Sequence, residues 1–309
     1  MPFVIQNSSC DPFVNLALEE ILCSYAAEKG ETVMFLWQNR LCCVIGINQN
    51  PWLECDVEAM DKAGALLVRR RTGGGAVCHD LGNLNFSFCA PKGSFDAQKG
   101  NAIVLSALRT LGINAEASGR NDICVSGKKI SGSAFRHSGD FSLHHGTLLV
   151  NSDLALFPRL LTPDSQKLAA KGVRSVEARV ANLSSFCPGL TVEKLRVALL
   201  FAFEKEKGPV KTLSPDGFDV SALSEFYASH GFRYRRTPAF SENLSFRLPG
   251  AGINVGLTVE KGIVTDCHVW TDSLDTALPG MLSATLIGRP YSPDLVRSSA
   301  QVLVGRETP

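Results

Sequence analysis

The chain has 309 residues, 45% of them apolar and 20% charged, a composition that excludes a disordered tail or a coiled coil. At roughly 150 residues per domain, the length predicts one large domain or a large one with a smaller companion. Lysine and arginine number 31 against 30 aspartates and glutamates, a formal charge of +1, so no whole-protein charge points to nucleic acid or a membrane surface and any cationic site is local.

The first helix starts at Asp11, an N-cap residue followed by Pro12, with Phe13, Leu16, Ala17, Glu20, Ile21 and Tyr25 marking its turns to about Lys29. Two apolar runs, Val33 to Trp37 and Cys42 to Ile47, flank a short polar stretch and read as a β-hairpin. A helix over about Asp56 to Ala63 leads to a strand at Ala65 to Val68, then to dense turn residues over Arg69 to Asp80 and a strand from Asn83 to Phe88. Asn101 reads as the cap of a helix that stops near Gly112. Ile123 to Phe135 reads as a hairpin turning near Gly127 and Lys128, and Phe141 to Val150 as an interior strand. Helices follow at about Ser152 to Leu161, Thr191 to Lys205 and Val220 to His230. The Arg-rich stretch Arg233 to Glu242 marks a domain boundary, giving domains over 1–240 and 241–309. Beyond it, Leu244 to Leu248, Ile253 to Val259 and Gly262 to Trp270 predict a small antiparallel meander before one or two helices. Strands and helices mix without strict alternation, so the fold class is α+β with a mostly antiparallel sheet.

The ten cysteines lie in apolar stretches with no CxxC pair and no histidine at metal-ligand spacing, which argues against zinc or a disulfide framework and for a reducing compartment. The start, MPFVIQNSSCDPF, has neither signal-peptide nor presequence character, and no apolar run approaches the roughly 20 residues of a membrane span. The expected location is cytoplasmic, and a processed mitochondrial chain would read the same way.

The strongest chemical signal is Arg69, Arg70 and Arg71 followed by Thr72, Gly73, Gly74, Gly75, Ala76 and Val77. Consecutive glycines let a backbone approach a ligand and turn its donors inward, and guanidiniums suit phosphate or carboxylate. Neither the dinucleotide nor the P-loop fingerprint fits, and a tight turn among solvated arginines is the plainer reading. A second cluster holds Asp122 and Lys128 to Ala134. Strand alternation predicts Lys129, Ser131 and Ser133 on one face, and Lys128 and Ile130 on the other. Asp122 offers one carboxylate to Mg²⁺. Of His144 and His145, adjacent in a strand, one should face a ligand and one the opposite side. The polar segment Lys171 to Leu183 reads as a surface loop or as a lid over phosphates.

Together the strings DPFVNLALEE, LWQN, VIGINQNPWLEC, RRRTGGGAVCHDLGN, ASGRNDI, KKISGSAFR, HHGTLLV, KLAAKGVRSVEARVANL and VEKGIVTDCHVWTDSL resemble the lipoate-protein ligase family, in family order from near residue 11 to near 274. The resemblance implies a catalytic domain related to biotin ligases and class II aminoacyl-tRNA synthetases, with a small α+β accessory domain. It implies activation of lipoate with ATP and Mg²⁺ to lipoyl-AMP, then transfer to a lysine of a lipoyl-domain acceptor. Those acceptors are the E2 subunits of 2-oxoacid dehydrogenases and the glycine cleavage H protein; neither nucleic acid nor a membrane is an implied partner. Matched by position, Arg70 binds ATP phosphate, and the backbone of Gly75, Ala76, Val77 and Cys78 lines the nucleotide and lipoyl pocket. Lys129 contacts the lipoyl carboxyl group and the α-phosphate, and Asp122 sits near the metal or adenylate. Gly172, Val173, Arg174, Ser175, Arg179, Val180 and Asn182 form the adenylate loop, and Gly73, Gly74, His79, His145 and Gly146 are further pocket candidates. Cys78 departs from the pattern by standing where an aromatic is usual. Three other readings stay open: a lipoyltransferase that uses preformed lipoyl-AMP, an octanoyltransferase working through Cys187 or Cys78, and a non-catalytic binder of lipoate or lipoyl-AMP.

Overall fold

The computed structural model describes residues 1–119, 121–162, 180–249, 251–273 and 275–305. The chain divides into two compact units, Met1–Ile47 with Pro51–Ser229, and His230–Pro309 with Asn48–Asn50. The division falls just ahead of the Arg-rich stretch in which the sequence put a boundary.

In the first unit β1 (Phe3–Gln6) precedes α1 (Pro12–Lys29), β2 (Val33–Trp37) and β3 (Cys42–Ile45). Two short helices follow, α2 (Pro51–Glu54) and α3 (Val57–Ala63), then β4 (Leu66–Arg69), β5 (Val77–His79), β6 (Asn83–Pro91) and α4 (Ala97–Thr110). Next come β7 (Glu116–Ser118), β8 (Asp122–Val125), β9 (Lys128–Ser138), β10 (Phe141–Leu149) and α5 (Phe157–Leu160). The unit closes with α6 (Val192–Lys207), β11 (Lys211–Leu213) and α7 (Ser221–Ala228).

The start of α1 is where the sequence predicted it. Asp11 accepts from the N–H groups of Phe13 and Val14 at 2.9 and 3.4 Å, a cap worth about 1 kcal/mol. Its buried face, however, carries Asn15, Glu19, Leu22 and Ala26, whereas Phe13, Glu20 and Tyr25 are only partly covered. Helix α4 begins one turn earlier than expected, because the Asp96 side chain accepts from Lys99 N–H and thereby takes the capping role from Asn101.

An eight-stranded sheet runs β11-β1-β2-β6-β10-β9-β8-β7. Only β11-β1 and β1-β2 are parallel; the other pairings are antiparallel. Strand β6 shows how its faces are assigned. Leu84, Phe86, Phe88 and Ala90 enter the main apolar core with Val104 and Leu108 of α4 and Leu199 and Phe203 of α6. The alternate residues Ser87 and Cys89 meet Glu19 of α1 on the other face.

The expected hairpin of β2 and β3 does not form. β2 already has β1 and β6 as neighbours and is buried along its whole length, so neither edge is free. Instead β3 starts a separate sheet, β4-β3-β5. Asn15 fixes the crossing by donating to Gln38 O at 2.8 Å and to Asn39 Oδ1 at 3.0 Å.

The second unit holds α8 (His230–Arg233), then β12 (Phe240–Leu248), β13 (Ala251–Glu260) and β14 (Ile263–Thr271), which form an antiparallel meander. Helices α9 (Leu278–Leu286) and α10 (Pro293–Val304) follow and pack together. Among the described residues, no helix is long and apolar enough to cross a membrane.

Candidate active site

The first unit contains a cavity of about 200 Å³ between the small sheet, the glycine loop and the face of the large sheet that carries α1. Its floor is one row of residues across five strands. Trp37 of β2 stands opposite Asn85 of β6, and Asn85 opposite Thr147 of β10. The Thr147 hydroxyl meets the backbone of Gly132 in β9, and Gly132 stands opposite Asp122 of β8. Four steps at 4.7–4.9 Å make this row about 19 Å long. Leu16, Trp37, Val44 and Val77 give the cavity apolar walls, and Asp122 and Lys129 put fixed charge at the β8/β9 end.

Lys129 Nζ lies 2.7 Å from Asp122 Oδ1, with both side chains partly exposed. The hairpin turns through Ser126 and Gly127, both at positive φ, but the predicted alternation beyond it breaks. Ile123 pairs with Ser131 and Cys124 with Lys129, so Ile130 is the extra residue of a bulge. Ile130 enters the core and Ser131 is buried, while Lys129, Gly132, Ser133 and Ala134 line the cavity. A Cβ at position 132 would meet Lys129 Nζ at 2.9 Å, so the absent side chain is the lysine's seat.

The three arginines diverge. Arg69 is fully buried and donates to Gly46 O and Ile47 O. Arg71 forms an ion pair with Glu20 at 3.0 Å, and its guanidinium lies 5.2 Å above the Phe226 ring. Arg70 alone lines the cavity. Its guanidinium donates to Thr72 Oγ1 at 2.9 Å, Val44 O at 3.0 Å, Gly73 O at 2.7 Å and Gly75 O at 2.9 Å, which leaves one of five N–H groups uncommitted. Burial lowers its pKa to about 10 despite the nearby Glu19 carboxylate. The glycine loop is thus folded around a buried cation. It also closely touches Gly46, the residue after β3: a Cβ there would meet Gly74 O at 2.3 Å, and Gly74 itself has φ +94.

A directed chain of hydrogen bonds supports this loop from below. Arg70 donates to Thr72, whose hydroxyl is 2.9 Å from His145 Nε2; His145 Nδ1 is 2.9 Å from Glu19 Oε1. Ser87 donates to the same carboxylate at 2.5 Å and accepts from Trp37 Nε1 at 2.9 Å. Every proton has one consistent assignment when Thr72 donates to Nε2 and Nδ1–H to Glu19. His79 also lines the cavity, with Nδ1 accepting from Asn39 at 3.0 Å. Burial, then the charge of Arg70, pushes its pKa down to about 3. His144 points to the other face, stacked on Phe135 at 4.2 Å, and burial likewise holds its pKa at about 3.

A model of the lipoyl protein ligase A/B catalytic domain matches residues 11–204, and one of the bacterial lipoate protein ligase C-terminus matches residues 237–303. The chain belongs to the lipoyl protein ligase A/B family. It is an enzyme of the lipoate-protein ligase type. Among solved structures it is similar to P. falciparum LipL1 in complex with lipoate, at 28% identity and a TM-score of 0.67, over 97% of this chain and 94% of that one. It is also similar to a bi-partite lipoate protein ligase from Thermoplasma acidophilum, described with its E2 lipoyl domain, at 26% identity and a TM-score of 0.65, over 75% and 95% of the two chains. A lipoate-protein ligase A bound with ATP matches at 25% identity and a TM-score of 0.63, over 75% of this chain and 97% of that one.

Of the residues that the sequence singled out in this lipoate-protein ligase, Arg70, Gly74, Gly75, Ala76, Val77, His79, Asp122, Lys129, His145 and Gly146 line this cavity. Gly73 contributes its carbonyl to Arg70. Cys78 differs from expectation: period-two alternation on β5 turns Val77 and His79 to the cavity and Cys78 away, toward Cys43. Gly172, Val173, Arg174, Ser175 and Arg179 lie outside the described residues. Val180 bridges Lys129, and Ala181 N–H donates to Lys129 O at 2.9 Å. Asn182 is held by Ser152 through two 2.9 Å bonds. The sequence reading missed Glu19, Trp37, Asn85, Ser87 and Thr147. A carboxylate on the apolar face of α1 was the available signal for the first of these.

Proposed function

We propose that this chain activates lipoate with ATP to lipoyl-AMP and transfers the lipoyl group to a lysine of a lipoyl-domain acceptor. The observation that carries the reading is the polarity of the cavity, which runs from apolar walls at Trp37 and Val77 to the Lys129–Asp122 pair at its β8/β9 end. An apolar chain with one anionic end fits that gradient, with its carboxylate toward Lys129. The lipoate-bound and ATP-bound relatives support the same pair of ligands.

In the first step a carboxylate oxygen attacks the α-phosphorus of ATP and pyrophosphate leaves. Two anions are brought together, so fixed positive charge at the point of approach lowers the barrier. Lys129 is the residue for that role, since its ammonium is anchored by Asp122 and by the Gly132 seat. We assign Arg70 the task of folding the glycine loop so that its backbone faces the ligand, with a buried charge that favours an anion, and not the task of a free phosphate clamp. Among the described residues, Asp122 is the one carboxylate that lines the cavity, and no group of three metal-holding side chains occurs. That donor set fits a magnesium ion that arrives with the triphosphate, because Mg²⁺ usually needs only one or two carboxylates beside phosphates. When bound, the ion would neutralise phosphate charge.

In the second step the neutral acceptor amine attacks the mixed anhydride and AMP leaves, aided chiefly by proximity. A thiol route has no support: Cys78 faces away from the cavity, and Cys187 packs against the apolar core. Incubation with ATP, Mg²⁺, lipoate and an apo lipoyl domain should yield pyrophosphate and an acylated lysine. Product that forms only when lipoyl-AMP is added would replace this reading with the transfer half-reaction alone.

A further inference from the structure

The face of the small sheet turned away from the cavity holds three thiols that the proposed chemistry does not use. Cys43 of β3 and Cys78 of β5 are direct partners in the antiparallel register, and their Sγ atoms are 2.6 Å apart. Cys55, just after α2, hydrogen-bonds to the Cys43 thiol. All three are buried, Cys78 the least so, with exposures of 0%, 2% and 5% for Cys43, Cys55 and Cys78.

A metal does not suit this spacing. Thiolates about 2.3 Å from a tetrahedral zinc lie well over 3 Å from one another, and the described residues include no metal-holding group of three. A disulfide does suit it, since an S–S bond of about 2.04 Å needs the two sulfurs to close by only about half an ångström. We propose that Cys43 and Cys78 form a reversible oxidation site, joined as a cross-strand disulfide by hydrogen peroxide. The more accessible Cys78 attacks the peroxide, breaking the O–O bond to give a sulfenic acid and one water. Cys43 then attacks that sulfur, forming the S–S bond and releasing a second water. The two electrons come from the thiol pair, and a dithiol reductant reverses the change. Burial raises the Cys78 pKa, against the hydrogen bond with Cys43, which lowers it, so little thiolate is present at neutral pH and the reaction is slow there, accelerating as pH rises. The consequence for the site is local. Val77 and His79 flank Cys78, Val44 flanks Cys43, and all three line the cavity, so the cross-link ties together two strands of its wall.

The test is peptide mapping of the folded full-length chain after hydrogen peroxide at pH 8.5, with free thiols alkylated on unfolding. The expected result is a Cys43–Cys78 linked peptide as the first cross-link, a loss of two alkylated thiols out of ten, and full recovery with dithiothreitol. In Cys78→Ser that peptide disappears while circular dichroism stays native. The inference is overturned if Cys78 goes to sulfinic acid without a cross-link. It is equally overturned if the first disulfide joins Cys23 and Cys89, whose sulfurs are 3.4 Å apart, or joins Cys43 to Cys55.

Discussion

Replacing Arg70 with lysine separates two roles that a cation can have in this site. Lysine keeps the charge but presents it as a single point, whereas arginine spreads five donors in a planar fork. In this structure four of those donors are spent, on Thr72, Val44 O, Gly73 O and Gly75 O. A lysine ammonium can reach one or two of these acceptors and strands the rest in a buried setting. Two lost bonds to a charged group, at about 1.5–3 kcal/mol each, predict a destabilisation of about 3–6 kcal/mol. For a unit of this size that lowers Tm by about 6–24 °C. The loop that should face ATP loses its shape as well, so lipoate-dependent pyrophosphate release should fall in kcat/KM by about 10²-fold or more, at about 1.4 kcal/mol per factor of ten. Thermal denaturation and initial rates at varied ATP measure both effects. A lysine variant with native Tm and unchanged kcat, altered only in its KM for ATP, would refute the loop-folding role and restore a direct phosphate contact.

Three further outcomes follow from the geometry. Lys129→Ala removes the ammonium at the β8/β9 end of the cavity; pyrophosphate release should drop by about 10²–10³-fold with an unchanged circular dichroism spectrum, and near-normal turnover would remove Lys129 from the chemistry. His144 has a folded pKa of about 3, against about 6.5 when unfolded. The unfolded state therefore binds its proton first as pH falls, and the stability held by neutral His144 is complete above about pH 6.5 and lost toward pH 3. His144→Phe, which cannot protonate, should gain about 2 kcal/mol relative to wild type between pH 8 and pH 5 in urea denaturation; parallel pH profiles would contradict the neutral assignment. Cys78→Phe introduces an aromatic, the residue type that the resemblance implies at this position, but it should cost about 1–3 kcal/mol by overpacking against Cys43 and Cys55, and a variant as stable as wild type by denaturant midpoint would show that the space exists.

Local signals in this sequence were legible where one residue type has one physical use. Asp11 before Pro12 marks a helix start, and the polar–apolar alternation of Asn83 to Phe88 marks a strand with two unlike faces. Gly127 beside Lys128 marks a turn. What the sequence did not reveal was competition between distant segments. The edges of β2 are taken by β1 and β6, which forces β3 into another sheet. One extra residue at Ile130 resets which side chains face the cavity. Three consecutive arginines look alike in sequence, yet Arg69 is spent on backbone carbonyls and Arg71 on Glu20, while Arg70 alone reaches the cavity. Glu19 escaped notice because its partners, Ser87 and His145, lie 68 and 126 residues away.

Pyrophosphate release in the absence of any acceptor protein isolates the proposed ATP-using half-reaction. With ATP, Mg²⁺ and lipoate, the full-length chain should release a burst of pyrophosphate close to one equivalent per active site, with lipoyl-AMP retained on the protein. No lipoate-dependent release, from a preparation that still transfers the lipoyl group from added lipoyl-AMP, would contradict it.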